Sequence, residues 1–185
     1  MATYIVWGDS HIPYRAEKLP TKFIEFVEKV SPSKIICTGD LVRKQVLRFF
    51  LEKDRELVVV RGNMDEGEAG RFPLIQLFEE FGHIFMVFHG HGIYPRGDPA
   101  QLYRVAKKKD ARILFTGHTH SPVVEEYRDL IIVNPGSVCG VWGGGGGYGR
   151  PTWGLVRVRD EKLDVEIYEL VGGEVLVYAR KSFEL

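Results

Sequence analysis

Ile113-Leu-Phe-Thr-Gly-His-Thr-His120 joins a short apolar run to a glycine and then to two histidines one residue apart. An apolar run of this length stopped by a glycine turn reads as a buried strand. The histidines then stand on a tight turn at its carboxyl end, and neutral imidazole nitrogens on a rigid backbone suit borderline divalent metals.

Working outward, the same order recurs. Residues 3–7 are apolar and partly β-branched and end at Gly8-Asp9. Residues 34–38 end in Gly39-Asp40, residues 57–60 in Gly62-Asn63, and residues 84–88 deliver His89-Gly90-His91. Between them lie helical patterns. Phe23, Ile24, Phe26, Val27 and Val30 set a helix over 21–30 that Ser31-Pro32 ends, and Val46, Leu47, Phe50 and Leu51 set one face of a helix over 42–53. Residues 74–81 form a hairpin with 84–88, turning at Gly82-His83, the one histidine read as surface. Asp98-Pro99 caps a helix to about Lys109, whose terminal lysines 107–109 complement its dipole and are solvated. From 123 onward the pattern becomes paired antiparallel strands at 123–127 with 130–133, then 152–159, 162–170 and 174–180. Charges alternate within 165–170, which places one face of that sheet in water. The class is α/β.

The chain has 185 residues, which predicts a single domain over 1–185 burying about 70% of its unfolded surface. Its 25 basic and 25 acidic residues cancel, so no net field argues for nucleic acid or a membrane. The start lacks a basic region and a long apolar run, which predicts a cytoplasmic protein with no signal or membrane segment. Cys37 and Cys139 are then reduced thiols in apolar surroundings. The two asparagines of the chain, Asn63 and Asn134, both fall in motifs.

In open α/β sheets, ligands bind beyond the carboxyl ends of the strands, so turns far apart in sequence converge on one edge. The turns here carry Asp9, His11, Asp40, Asn63, His89, His118 and His120, with His91 beside them. Any one of these is weak evidence. Together they place five of the six histidines on such turns, which turn-making does not require. A pair of divalent cations needs a shared anionic ligand, and Asp40 is the natural bridge. Mixed oxygen and nitrogen donors suit Mn, Fe, Co, Ni or Zn better than Mg or Ca. Two-metal sites generate hydroxide at neutral pH and clamp phosphoryl groups, which makes phosphoester hydrolysis the leading reaction class.

The series Asp-x-His, Gly-Asp, Gly-Asn-x-Asp, His-Gly-His, Gly-His-Thr-His resembles the calcineurin-like metallophosphoesterases over nearly the whole chain. The stretches Gly8-Asp-Ser-His-Ile-Pro-Tyr-Arg15, Cys37-Thr-Gly-Asp40, Arg61-Gly-Asn-Met-Asp-Glu66 and Asn134-Pro-Gly-Ser137 are similar to its small single-domain subfamily. That subfamily holds microbial phosphodiesterases and the phosphoesterase-like subunit of the retromer coat.

The resemblance implies a four-layer α/β/β/α sandwich and two divalent metal ions per chain. One is held by Asp9, His11, Asp40 and His120, the other by Asp40, Asn63, His89 and His118. It implies a phosphodiesterase in which a metal-bound hydroxide attacks a small phosphodiester, nucleotide-like in one form. The alternative is a protein-binding scaffold like the retromer subunit, and a homo-oligomer is compatible with either.

Many relatives carry a proton-donating histidine where this chain has Met64, and a thioether has no proton to give. Asp65 and His91 are the candidate replacements, and His91 and Arg150 the candidate substrate contacts. The retromer branch has Gly-Asn and Gly-Asp where this chain has Gly39-Asp40 and Gly62-Asn63, so the catalytic arrangement is the one present. The run Val141-Trp-Gly-Gly-Gly-Gly-Gly-Tyr-Gly149 suits a lid whose two aromatics stack on a base or aryl ester.

Overall fold

In a computed structural model, which describes residues 1–51 and 55–185, the first strand, β1 (Ala2–Trp7), sends Tyr4 and Val6 to one face and Ile5 and Trp7 to the other. All four are fully buried. A strand covered on both faces lies between layers.

β1 pairs in parallel with β2 (Lys34–Cys37), and β2 in parallel with β3 (Glu56–Val59). On its other edge β1 runs antiparallel to β9 (Thr152–Arg159), followed by β10 (Lys162–Val171) and β11 (Glu174–Glu184). A second sheet begins with β4 (Ile75–Glu80), β5 (His83–Phe88) and β6 (Ile113–Phe115). It continues through β8 (Leu130–Pro135) to β7 (Pro122–Tyr127) at the edge. The hairpin at Gly82 is present, and β5, β6 and β8 are mutually parallel.

Tyr4, Val6, Ile36, Val156 and Val165 of the first sheet meet Phe85, Val87, Phe115 and Val133 of the second in a common core. The outer face of the first sheet takes Phe23 and Val27 of α1 (Thr21–Val30). It also takes Leu47 and Phe50, from a 3₁₀ turn Lys44–Leu47 that runs on into α2 (Arg48–Leu51). Each such side chain stabilises by about 1.5–3 kcal/mol through burial. The outer face of the second sheet packs Met86, Leu114 and Ile132 against Leu102 and Ala106 of α3 (Pro99–Lys107). Asp98 caps α3 by accepting from the Gln101 N–H at 2.8 Å. The layers run helix, sheet, sheet, helix: the four-layer α/β/β/α sandwich. Both cysteines are free thiols.

Two local expectations change. The helix read over 42–53 starts later, because the Val42 amide donates to Asp65 Oδ1 at 2.7 Å and Val42 sits at φ 72° in a bridge with Ile12. Leu51 is exposed rather than on the apolar face, and the expected end of that helix lies outside the described residues. The face of β10 expected in water is partly sealed. Glu166 is only 6% exposed, held by Arg157, Arg180 and Tyr168.

Candidate metal centre

Because β1, β2 and β3 are parallel, their carboxyl ends lie on one edge, and the turns after them carry Asp9, His11, Asp40 and Asn63. β5 and β6 are parallel in the facing sheet, so His89, His118 and His120 leave it on the same edge. Two groups of donors result: Asp9, His11, Asp40 and His120 in one, and Asp40, His89 and His118 in the other. Within each, the donor atoms lie within 4.8 Å of one another.

The spacings fit cations. His11 Nε2 is 3.1 Å from His120 Nε2 and 3.5 Å from Asp40 Oδ2, and His120 Nε2 is 3.3 Å from Asp9 Oδ1. His89 Nε2 is 3.3 Å from Asp40 Oδ2. Ligand atoms about 2.0–2.2 Å from one ion stand roughly 3–4 Å from each other.

The opposite end of each side chain is locked. His89 Nδ1 lies 2.8 Å from the Thr38 carbonyl and His120 Nδ1 2.7 Å from the Val141 carbonyl, so each Nδ1 carries the proton and leaves Nε2 as the lone-pair donor. Asp9 Oδ2 accepts from the His118 N–H at 3.0 Å, and Asp40 Oδ1 from the Met64 N–H at 2.7 Å. Asp9 Oδ1 is buried with no hydrogen-bond partner among the described residues. A buried carboxylate oxygen without a donor is costly unless a cation meets it, so the donor set fits a metal centre.

The backbone is bent to achieve this. Asp9 (φ 51°), His11 (49°), Asp40 (54°), His118 (69°) and His120 (57°) all occupy the left-handed region, at about 1–3 kcal/mol each. Close packing holds them there. A Cβ on Gly62 would sit 2.0 Å from Asp40 Oδ1, so only glycine lets the two loops meet. Asn134 Nδ2 donates to the Gly117 carbonyl and Ser137 Oγ to the Asp9 carbonyl, so the Asn-Pro-Gly-Ser turn braces both sides of the edge.

The cluster sorts its protons. Burial alone would push His89 down, yet its hydrogen bond to Asp40 and the charge of Asp9 lift it to about 9. Burial likewise opposes His120, which the Asp9 carboxylate 3.3 Å away raises. Burial pushes His11 down to about 4. It does the same to His118, helped by the charges of His89 and Arg96. Burial works against ionised Asp40, but the hydrogen bond and charge of His89 hold it at about 2. The anionic Asp40 is thus balanced by protons that a bound cation would replace.

Asn63 is exposed and lines the cavity above the cluster, a space of about 140 Å³ shared with Met64, His118, Gly143 and Gly144. The other candidates are placed differently. Asp65 is not free to donate a proton: Oδ2 accepts from the Gly62 and Asp40 N–H groups at 2.7 and 3.1 Å, and Oδ1 from Val42. Burial raises its pKa, but those amides need the carboxylate, so Asp65 ties the Asp40 and Asn63 loops together. His91 packs its ring 5.5 Å from that of His89 and lies outside the cavity lining. Arg150 is turned away and paired with Glu169 at 3.1 Å. Tyr148 also bonds Glu169, at 2.7 Å, so it does not cover the site.

Arg15 and Arg96, which the motif reading passed over, do line the cavity. A larger apolar groove of about 650 Å³ beside Ile24 and Val46 carries no comparable donor cluster among the described residues.

A family profile described as the calcineurin-like phosphoesterase superfamily domain matches residues 2–160. A probable metallophosphoesterase of Methanothermobacter thermautotrophicus is 34% identical over 162 residues, covering 88% of this chain and 89% of that protein. Among solved structures, Vacuolar Protein Sorting 29 from Cryptosporidium parvum superposes with a TM-score of 0.91 at 25% identity, covering 100% of this chain and 98% of that one. The Entamoeba histolytica counterpart, solved in complex with zinc, superposes with a TM-score of 0.88 at 28% identity, covering 98% and 99%.

Proposed function

The chain belongs to the calcineurin-like phosphoesterase superfamily, and from that premise we propose that it is a phosphodiesterase working with two divalent cations. Asp9, His11, Asp40 and His120 hold one, and Asp40, Asn63, His89 and His118 the other. Mn, Ni, Zn, Co or Fe suit these donors. When bound, such ions bring water ionisation into the neutral range and neutralise charge on a phosphoryl group undergoing in-line displacement.

The observation that carries the reading is the position of Asp40. Its Oδ2 lies 3.5 Å from His11 Nε2 and 3.3 Å from His89 Nε2, one ligand of each group, while Oδ1 is held by the Met64 amide. A carboxylate oxygen lodged between two donor sets is what a shared anionic ligand requires.

The chain's own residues narrow the substrate. Met64 lines the cavity and offers no proton, Asp65 is committed to amides, and His91 stands outside the lining. A leaving group must therefore depart without a dedicated acid, which favours diesters with stable leaving anions, such as aryl phosphodiesters.

The test is Mn- or Ni-loaded protein, checked for two ions per chain, assayed on an aryl phosphodiester and a panel including cyclic nucleotides. Turnover is expected on diesters and lost in Asp40→Asn and His89→Ala. Fully loaded protein that hydrolyses no diester or monoester ends the enzyme reading. The likeness to Vacuolar Protein Sorting 29 and the exposed apolar Leu176, Val177 and Tyr178 on β11 support a second reading, a protein-binding scaffold. Partner capture without turnover in that assay would select it.

A further inference from the structure

Arg15 and Arg96 both line the cavity. The charge of Arg15 acts on His11 of the first donor group and that of Arg96 on His118 of the second. Among the described residues neither has a carboxylate within ion-pair distance, whereas Arg43, Arg112, Arg150, Arg157 and Arg180 each do. Two unneutralised guanidiniums at the mouth of a cation site suit an anion.

Each is instead spent on a backbone carbonyl of the glycine loop. Arg15 Nη1 donates to the Trp142 carbonyl at 2.6 Å and Arg96 Nη1 to the Gly143 carbonyl at 2.5 Å. The loop is pressed onto the site. A Cβ on Gly143 would lie 2.7 Å from His120 Cδ2, and one on Gly145 3.2 Å from Arg96 Nη1. Its two ends are anchored on His120, through the Val141 carbonyl at 2.7 Å and the Tyr148 N–H at 2.9 Å. The cavity of about 140 Å³ is well under the roughly 300–1,000 Å³ of ordinary small-molecule pockets. A whole diester therefore needs the loop displaced.

We propose that Arg15 and Arg96 are the residues that grip the phosphoryl oxygens of the substrate, and that in doing so they release the Trp142 and Gly143 carbonyls and lift the loop. A neutral carbonyl is a weaker acceptor than an anionic phosphoryl oxygen, so the exchange runs toward substrate. Each guanidinium has five N–H donors in a planar fork and can engage two oxygens at once. The identity of the anion rests on the phosphodiesterase reading.

Trp142 reports the exchange. It is 64% exposed, while Trp7 and Trp153 are fully buried, so emission quenched by acrylamide belongs to Trp142, which also lies 5.8 Å from the Arg15 guanidinium. Mn-loaded protein is titrated with inorganic phosphate while quenching is followed. Saturating phosphate is expected to raise wild-type quenching about twofold. Arg15→Ala and Arg96→Ala are each expected to weaken phosphate binding by about tenfold, the effect of one lost charge-assisted hydrogen bond. Both side chains are exposed, so the fold is spared. Arg96→Lys, which keeps charge but loses the fork, is expected to fall between wild type and Arg96→Ala. The double alanine variant is expected to start highly quenched and show no phosphate response.

Phosphate binding equally tight in wild type and double variant, no phosphate binding at all, or wild-type quenching indifferent to bound phosphate each overturns the proposal. Diester turnover run in parallel separates the two readings. A phosphate response without turnover removes the phosphodiesterase and leaves the arginine grip. Normal turnover with an unchanged KM in both single variants removes the grip alone.

Discussion

Glu166 and Asp40 are carboxylates hidden to nearly the same degree, 6% and 2% exposed, and the chain treats them in opposite ways. Glu166 sits within β10, paired with Leu155 of β9 and Arg180 of β11. Its Oε2 accepts from Arg157 and from the Tyr168 hydroxyl, both at 2.9 Å, and its Oε1 from Arg180 at 2.7 Å, with residues of β9, β10 and β11 closing around it. Asp40 sits on a strained turn, and its neighbour Asp9 keeps one oxygen with no donor. Where a buried charge only has to be stable, its valences are filled by the protein. Where it has to bind something, donors that a cation can use are aimed at one point, a neighbouring carboxylate oxygen is left open, and the backbone carries the strain.

The strongest way to break this contrast is Asp40→Asn. It removes the shared anionic oxygen without changing shape. Diester hydrolysis is expected to drop by well over the roughly 10–100-fold that follows loss of an outer partner of a metal ligand. Metal analysis should show fewer than two ions per chain. Retention of both ions and of activity would place Asp40 with Glu166, as a structural charge.

Acid and alkali separate the regions next. The folded-state pKa of His11 and His118 lies near 4, below the ordinary 6.5, so their contribution to stability is complete above pH 6.5 and is lost as pH falls toward 4. His89 is raised to about 9, so its contribution is complete below pH 6.5 and is lost as pH rises through 9. In chelator, denaturant melts are expected to show greatest stability near pH 6.5. Saturating Mn should abolish the alkaline decline, because a cation then does the work of the His89 proton. For Glu166, burial raises the pKa but the bonds from Arg157, Tyr168 and Arg180 lower it further, so its contribution is lost only in acid below the ordinary 4.5. A flat chelated profile between pH 4 and 9 would remove the electrostatic half of the comparison.

A smaller effect tests the other side. Glu166→Gln is expected to lower stability by about 1–2 kcal/mol, tempered by the exposure of Arg157 and Arg180, and to leave metal content and turnover unchanged. Paired melts and assays on one preparation read both.

The strands and the turns at the site were legible because most of the turns obey local rules: an apolar run, a glycine, then a polar donor. The α1 helix was legible for the same reason, with Phe23 and Val27 at helical spacing. What local rules miss is capture from a distance. The helix expected from Val42 is delayed because the Val42 amide is claimed by Asp65, a carboxylate 23 residues away in sequence. Asp65 looked like a spare acid because nothing in Gly-Asn-Met-Asp announces that both of its oxygens are taken by backbone N–H groups. Arg15 and Arg96 were passed over because their acceptors are carbonyls 127 and 47 residues away, and a carbonyl is the same in every residue. Alternating charge on β10 read as an exposed face because the sequence does not reveal that Arg157 and Arg180 close over Glu166.

The same contrast exists between arginines, and it gives the finest test. Arg150 sits in the sequence beside the glycine loop, as a substrate-binding arginine could, yet its Nη1 is 3.1 Å from Glu169 Oε2 and its guanidinium lies 5.7 Å from the Tyr148 ring. A satisfied, exposed ion pair is screened by solvent and has no spare charge for an incoming anion. Arg150→Ala is therefore expected to leave the diester KM within about twofold of wild type and the denaturant melt unchanged. Arg96→Ala, one loop away and lacking a carboxylate, is expected to shift phosphate affinity about tenfold. Measured side by side, the two substitutions ask whether the open valence or the position along the chain marks a functional arginine. Equal losses in both would mean that Glu169 releases Arg150 when substrate arrives, and the glycine loop would then have a third arginine at its base.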